Sequence, residues 1–240
     1  MTFTGRLLPG VAATLVALPM LAVLAAVLHG ATGGDPELWA HLREFVLPAV
    51  TRSTLVLVFG VVALSLLLGV SLGWLTAACE FPGRGFFAWA LLLPLAMPAY
   101  VLAFVAVATL DFAGPVPSQL REWFGAGLAV PPIRSTGGVI GVLALAFYPY
   151  VYLLARGAFL THGTRALEAG QSLGLGPWAG FLRVALPLAR PWIAAGAALV
   201  AMETLADFGA VSVFNYDTFT TAIYKSWFGL FSLETALQLA

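Results

Sequence analysis

Leu7 to Leu28 is a run of 22 residues without a charge, and four more apolar runs follow, at about 54–78, 86–110, 137–155 and 191–213. An α-helix needs about 20 apolar residues to cross a hydrocarbon core of about 30 Å. A backbone with no water to bond must satisfy its own polar groups, so such runs become helices. Charged residues are only 9% of the chain and hydrophobic ones 61%. An ordinary soluble domain is about 25% charged, and so few charges cannot clothe a water-facing surface. The sequence therefore predicts an all-α, polytopic transmembrane helical bundle of about five complete spans. The last dozen residues read as the start of a sixth.

The first run follows Arg6 and resembles a signal peptide in outline. The apolar core of a secretory signal is only about 7–15 residues long, so the run is read as an uncleaved first span. Pro9 and Pro19 loosen that helix without forbidding it. Residues 1–53 then hold the first span and a polar segment, and 54–240 form the main transmembrane domain. Basic residues mark the cytoplasmic side. Four of them, Arg156, Arg165, Arg183 and Arg190, lie within or beside the loop 156–190. That density places the loop, and with it the N-terminus, in the cytoplasm. A formal net charge of zero gives no reason to expect nucleic-acid binding. The single cysteine, Cys79, excludes an internal disulfide and a thiolate metal cluster. His29, His41 and His162 show no metal-ligand spacing.

Residues 156–190 are more than a connector. Thr164 to Leu173 (TRALEAGQSL) reads as a short helix, and Gly174 and Gly176-Pro177 break it. A second short helix starts at Pro177, a favourable first helical position. Trp178, Phe181, Leu182 and Ala185 fall at helical spacing on one face. Pro187 and Pro191 punctuate the entry to the fifth apolar run. Two short helices joined by a glycine turn suit a docking lever for a soluble partner. An amphipathic element lying on the membrane surface fits the same pattern.

Glu203 and Asp207 stand four apart inside the fifth run, which puts them on one helix face. A charged carboxylate at the bilayer centre costs about 2.5–3.5 kcal/mol on the insertion scale, so both should face a cavity or the bundle interior. Two hard oxygen ligands suit a transient contact with a hard cation. Neutral carboxyls bonded to neighbouring helices are the other reading. Tyr100, Tyr148, Tyr150 and Tyr152 read either as pathway residues or as membrane-interface aromatics. Pro94 and Pro98 predict a kink in the third span. No GxxxxGK[ST] phosphate loop, HExxH or GxSxG occurs, so neither an ATPase site nor a hydrolase site of those types is encoded. An intramembrane enzyme or a proton-driven secondary transporter using the same carboxylates stays open on residues alone.

Glu168-Ala169-Gly170, then Gly174, then Val184, Leu186 and Pro187 resemble the EAA loop of binding-protein-dependent ABC importer permeases. Gly170 departs from the usual alanine and keeps the spacing. The resemblance implies that these residues form a coupling helix seated on a separate ATP-hydrolysing subunit. No cofactor is then expected on this chain, since ATP is hydrolysed by the partner. It also implies a periplasmic substrate-binding protein, and a second permease half or a homodimer. LLLPLAMPAYVLAF (91–104), DFAGPV (111–116), YPYVYLLAR (148–156) and METLADFGAV (202–211) resemble ferric-iron permeases. That branch also holds thiamine, sulfate and polyamine permeases. The chain resembles the first of two such halves, ending in what should be the sixth span. The resemblance implies an inner-membrane permease importing ferric iron, with Glu203 and Asp207 on its path.

Overall fold

The computed structural model describes residues 4–30, 32–33, 36–125, 127–163, 170, 172 and 174–240. Among these, every regular element is a helix. Five stretches are long and apolar enough to cross a membrane: Ala13–Gly30, Pro36–Ala78, Ala99–Phe124, Thr136–Thr161 and Trp178–Ala206. The predicted class therefore holds, and the boundaries move in instructive ways. By its internal contacts the chain divides into two units, Arg52–Thr218 and Met1–Thr51 with Phe219–Ala240.

The larger unit is built around α7 (Thr136–Ala158). Ser135 caps it, its side chain accepting from the Gly138 N–H at 3.2 Å, which satisfies one of the free donors of the first turn. Val139, Leu143, Val151, Tyr152 and Ala155 of α7 are fully buried. A helix buried on most sides needs slender neighbours, and the sequence supplies glycines. In α3 (Leu47–Ala78) Gly69 and Gly73 form a GxxxG step. A Cβ at Gly69 would lie 2.6 Å from Val151 Cβ, and one at Gly73 would lie 3.2 Å from the Arg156 nitrogen. In α9 (Leu186–Ala206) a Cβ at Gly196 would lie 2.9 Å from Val151 Cα. Val151 is thus held between two glycines on two helices. Between apolar helices in lipid, such close approach is the main source of attraction.

The prolines break helices where the sequence suggested only kinks. The third predicted span, 86–110, is not one helix. It divides into α4 (Arg84–Ala90), a 3₁₀ turn Leu93–Ala96, an extended Met97 and α5 (Ala99–Leu110) with Pro98 as its N-cap. Pro94 and Pro98 each remove an N–H, and two deletions four residues apart leave no continuous ladder. The fifth predicted span, 191–213, is displaced. Helical backbone begins at α8 (Pro177–Gly180), passes through a π-turn Phe181–Ala185 and continues as α9, which ends at Ala206. A π-turn also joins α2 (Pro36–His41) to α3, at Leu42–Val46. Each of these turns stands just before a Leu-Pro pair, Leu47-Pro48 and Leu186-Pro187. The leucine N–H reaches back five residues, to Leu42 O and Phe181 O respectively. The wider turn absorbs the donor that proline lacks.

α5 is followed by α6 (Pro115–Phe124), and a short α10 (Gly209–Val213) follows α9. Arg134 binds the ends of α5 and α10 together. Its Nε lies 3.0 Å from Asp111 Oδ2, and its guanidinium donates to Val213 O at 2.7 Å. In the smaller unit α1 (Thr4–Gly30) packs near α12 (Leu233–Leu239), with Glu234 carboxylate atoms 3.3 Å from where a Gly33 Cβ would stand. Ser232 caps α12, accepting from the Thr235 N–H at 3.3 Å. α11 (Phe219–Tyr224) precedes it through a further π-turn.

Candidate functional site

Two helix breaks meet at one place. The first is the Pro94–Pro98 interruption, and the second is the end of α9 at Asp207-Phe208. A Cβ at Gly209 would lie 2.7 Å from Tyr100 Cβ, so the second break presses on the first. Between them and α7 lies a cavity of about 350 Å³. Irregular backbone at membrane depth persists where it lines such a cavity. Pro94, Met97, Pro98 and Tyr100 come from the first break, Phe147 and Tyr150 from α7, and Glu203, Asp207 and Gly209 from the second.

Glu203 and Asp207 both line this cavity, though not by sharing a helix face. Asp207 has left the helix, with φ −68° and ψ 128°. Its carboxylate instead receives the first N–H groups of α10, from Val211 at 3.0 Å and Ala210 at 3.4 Å. A side chain that caps a helix satisfies the break it stands in. Asp207 therefore has a local structural task besides its place in the cavity wall. Glu203, one turn earlier on α9, is exposed to the cavity. No Lys, Arg or His contributes to the lining. Among the described residues no group of three or more His, Cys, Asp or Glu is arranged to hold a metal ion.

The four tyrosines divide into two pairs. Tyr100 and Tyr150 line the cavity. Tyr148 and Tyr152 are buried and bond to the broken segment. In that segment Leu92 N–H turns to Trp89 O, and Leu95 N–H turns to Leu92 O. Those 3₁₀ bonds deprive Ala88 O and Leu91 O of their usual donors four residues on. Tyr152 hydroxyl donates to Ala88 O at 2.9 Å and Tyr148 hydroxyl to Leu91 O at 2.8 Å. Thr76 donates to the Tyr152 oxygen at 3.2 Å. Arg84 at the head of α4 caps α3, donating to Thr76 O at 2.8 Å and Ala77 O at 2.7 Å. Neither the pathway nor the interface reading anticipated this use of Tyr148 and Tyr152. No local pattern pairs these tyrosines with Leu91 and Ala88, which lie 57 and 64 residues away. Phenylalanine at either position should lower the unfolding free energy in detergent by about 1–3 kcal/mol, because a buried carbonyl loses its donor. Thermal unfolding of Tyr148→Phe and Tyr152→Phe checks this, and a melting temperature equal to the parent's would refute it.

At the other end of α7 lies the loop of the glycine motif. Glu168 and Ala169 lie outside the described residues. Gly170 is buried, and its carbonyl accepts from the Leu175 N–H at 3.0 Å. Gly174 between them has φ 85°, a left-handed conformation that glycine adopts without a Cβ clash. This six-residue closure is the usual end of a helix. Gly170 also meets the end of the motif, its Cβ position lying 3.8 Å from Val184 Cγ2. Leu186 and Pro187 open α9 directly after the π-turn, whose wider ring accommodates the N–H that Pro187 lacks. Of the predicted apolar face, Ala185 is buried and Phe181 half-buried, whereas Trp178 and Leu182 face outward.

Known proteins share this arrangement of helices. The family model of the binding-protein-dependent transport system inner membrane component matches residues 69–239. The molybdenum transport system permease protein ModB of Escherichia coli K12 is 30% identical over 180 residues, covering 75% of this chain and 72% of that protein. The Fe(3+)-transport system permease protein FbpB 2 of Haemophilus influenzae is 33% identical over 189 residues, covering 78% of this chain but 33% of that protein. The sulfate transport system permease protein CysT of Escherichia coli K12 is 29% identical over 216 residues, covering 86% of this chain and 75% of that protein. A bacterial alginate ABC transporter, solved in complex with an alginate pentasaccharide-bound periplasmic protein, has the same fold. It matches with a TM-score of 0.72 over 98% of this chain and 86% of that one, at 17% identity. The family match takes in the GxxxG step, both helix breaks and the glycine loop. On that extent the chain belongs to the inner membrane components of binding-protein-dependent transport systems, and is a multi-pass permease of an ABC importer.

Proposed function

We propose that this permease passes ferric iron, delivered by a periplasmic binding protein, across the inner membrane at the expense of ATP hydrolysed by a separate subunit. The observation that carries the cargo is the acidic lining of the cavity at the two helix breaks. Glu203 and Asp207 both line it and no basic side chain does. Like charges gathered at one cavity repel, and more strongly where water is scarce. An acidic lining therefore favours a cation over an oxyanion, and carboxylate oxygens suit a hard cation. The iron permease relative supports the same reading. The contact is transient, because a path must release what it binds.

In this reading the loop 156–190 and the N-terminus are cytoplasmic. Glu168, Ala169, Gly170, Gly174, Val184, Leu186 and Pro187 form the seat for the ATPase. A second permease half, or a second copy of this chain, completes the path. A rival cargo, an oxyanion such as molybdate or sulfate, is favoured by the molybdenum and sulfate relatives. α5 also begins at the cavity, with Ala99 and Tyr100 in the lining, and a helix N-terminus attracts anions.

Uptake of labelled ferric iron, molybdate, sulfate, thiamine and a polyamine, in cells carrying the complete operon with and without this chain, decides the cargo. Selective loss of iron uptake is expected. Loss of molybdate or sulfate uptake with iron intact overturns the iron assignment. Uptake that persists without ATP but collapses with the proton gradient overturns the ATP-driven class in favour of a secondary transporter.

A further inference from the structure

Three aromatic rings stand where the glycine loop joins the bundle. Phe159 is the first residue beyond α7 and opens a π-turn, Phe159–Gly163. Phe181 opens the π-turn that leads into α9. The two rings lie at the two ends of the loop, 6.2 Å apart between centroids. Both rest on Trp74 of α3, at 5.4 Å edge-on for Phe159 and 4.7 Å for Phe181. Phe159 is 2% exposed, and buried alanines of α3, α7 and α9 surround the group. The alanines leave smooth walls, so the rings are the bulkiest groups that interlock there.

We infer that Trp74, Phe159 and Phe181 form the fulcrum through which the glycine loop moves the cavity wall. The inference rests on the ATP-driven importer reading and deepens it. A push on the loop reaches the bundle at both loop ends at once, and both ends press on Trp74. Two and three residues beyond Trp74, Thr76 and Ala77 carry the carbonyls that Arg84 binds. Arg84 opens α4, the first half of the broken segment. Thr76 also donates to Tyr152, whose hydroxyl donates to Ala88 O of α4. Displacement of Trp74 thus shifts the segment that ends in the cavity. The flanking π-turns supply compliance, because their wider hydrogen-bond rings occur in single turns and commonly at functional positions. Trp74, Phe159 and Phe181 are positioning residues; none of them lines the cavity.

Spatial continuity alone does not establish coupling, and the test is therefore a ratio. The complete importer is reconstituted in proteoliposomes with its ATPase, its second membrane subunit and its binding protein. Cargo imported per ATP hydrolysed is measured with the melting temperature. Trp74→Leu and Phe181→Leu, which keep the site apolar, are expected to retain ATP hydrolysis while cargo per ATP falls about tenfold, within the usual range of coupling between sites. The double variant should fall no further than the worse single one, since both remove the same link. Trp74→Phe, which keeps a ring in place, should hold the parent's ratio, and Phe181→Met, which keeps an apolar side chain of closer size without a ring, takes leucine's place with the same expected fall if leucine proves too unstable to reconstitute. An unchanged ratio in both leucine variants overturns the inference. So does a parallel fall of hydrolysis, import and melting temperature, the mark of a cluster that only packs. Import by the parent that continues without ATP removes the importer reading itself, and shows before any variant is made.

Discussion

Leucine at Gly196 is expected to prevent the larger unit from packing. A Cβ there would stand 2.9 Å from Val151 Cα, 3.4 Å from its Cγ2 and 3.5 Å from its Cβ. Two of these are main-chain or branch atoms that cannot rotate away. Val151 has no room to retreat, because Gly69 of α3 lies against its other side, where a Cβ would be 2.6 Å from Val151 Cβ and 2.9 Å from Tyr152 N. Relief therefore requires α9 and α7 to separate. Overpacking a well-filled soluble core costs about 1–3 kcal/mol, occasionally more. In lipid the separated helices gain nothing by returning, since tails are as apolar as leucine. The expected result is loss of the monodisperse peak in detergent, or a large fall in melting temperature. Gly157→Leu is the control, as nothing stands within 4 Å of its Cβ position. Exposed helical glycine replaced by a better helix former should change stability by no more than about 1 kcal/mol, and in the favourable direction. Equal melting of parent and Gly196→Leu would show that the α7–α9 contact is not the source of stability.

The second large effect concerns transport. Asp207 combines a cap and a charge, and two substitutions separate them. Asp207→Ala removes both, costing about 1 kcal/mol of stability from the cap alone. Asp207→Asn keeps an oxygen acceptor for the Val211 N–H and removes the charge. Asparagine should therefore preserve the melting temperature while lowering cation uptake by about tenfold or more, the equivalent of one Coulombic contact of roughly 1.4 kcal/mol. Glu203→Gln makes no demand on the backbone and should behave in the same way. The neutral double variant should lose uptake of the iron label selectively. Uptake and substrate profile both unchanged in Glu203→Gln/Asp207→Asn would sink the acidic-path reading.

What the sequence made legible was whatever depends on local period. Apolar runs of bilayer length announce their own helices, so the five spans and the all-α class could be read directly. Gly174 could be read too, because a left-handed closure depends on one residue and its neighbours. The two breaks were misjudged for a related reason. One proline inside a membrane helix is commonly absorbed as a kink, and only the pair at 94 and 98, with partners for the freed carbonyls, makes a full interruption. Those partners, Tyr148 and Tyr152, stand 57 and 64 residues from the groups they bind, beyond any local pattern. Asp207 was placed on the helix because 3.6-residue spacing fits Glu203. The competing fact was that its carboxylate is worth more to the N–H groups of α10 than to a helix it would leave uncapped. The GxxxG step at Gly69 and Gly73 was open to inspection in the sequence. Its partner, Val151, was not.

The tyrosine bonds to the broken segment also set an order of assembly. The apolar stretch Arg84–Ala96 is shorter than a bilayer crossing, and its main chain carries two carbonyls that the chain cannot satisfy until α7 exists. During synthesis Tyr148 emerges 57 residues after Leu91. Until then the segment has no place in hydrocarbon, where an unbonded carbonyl costs several kcal/mol. It must wait at the wet wall of the insertion channel or at the headgroup layer, and enter the membrane as the companion of a later helix. The cavity is therefore a late product of biogenesis: α7 must first take up the carbonyls of Ala88 and Leu91, and α9 must then bring Glu203 and Asp207 to the second break.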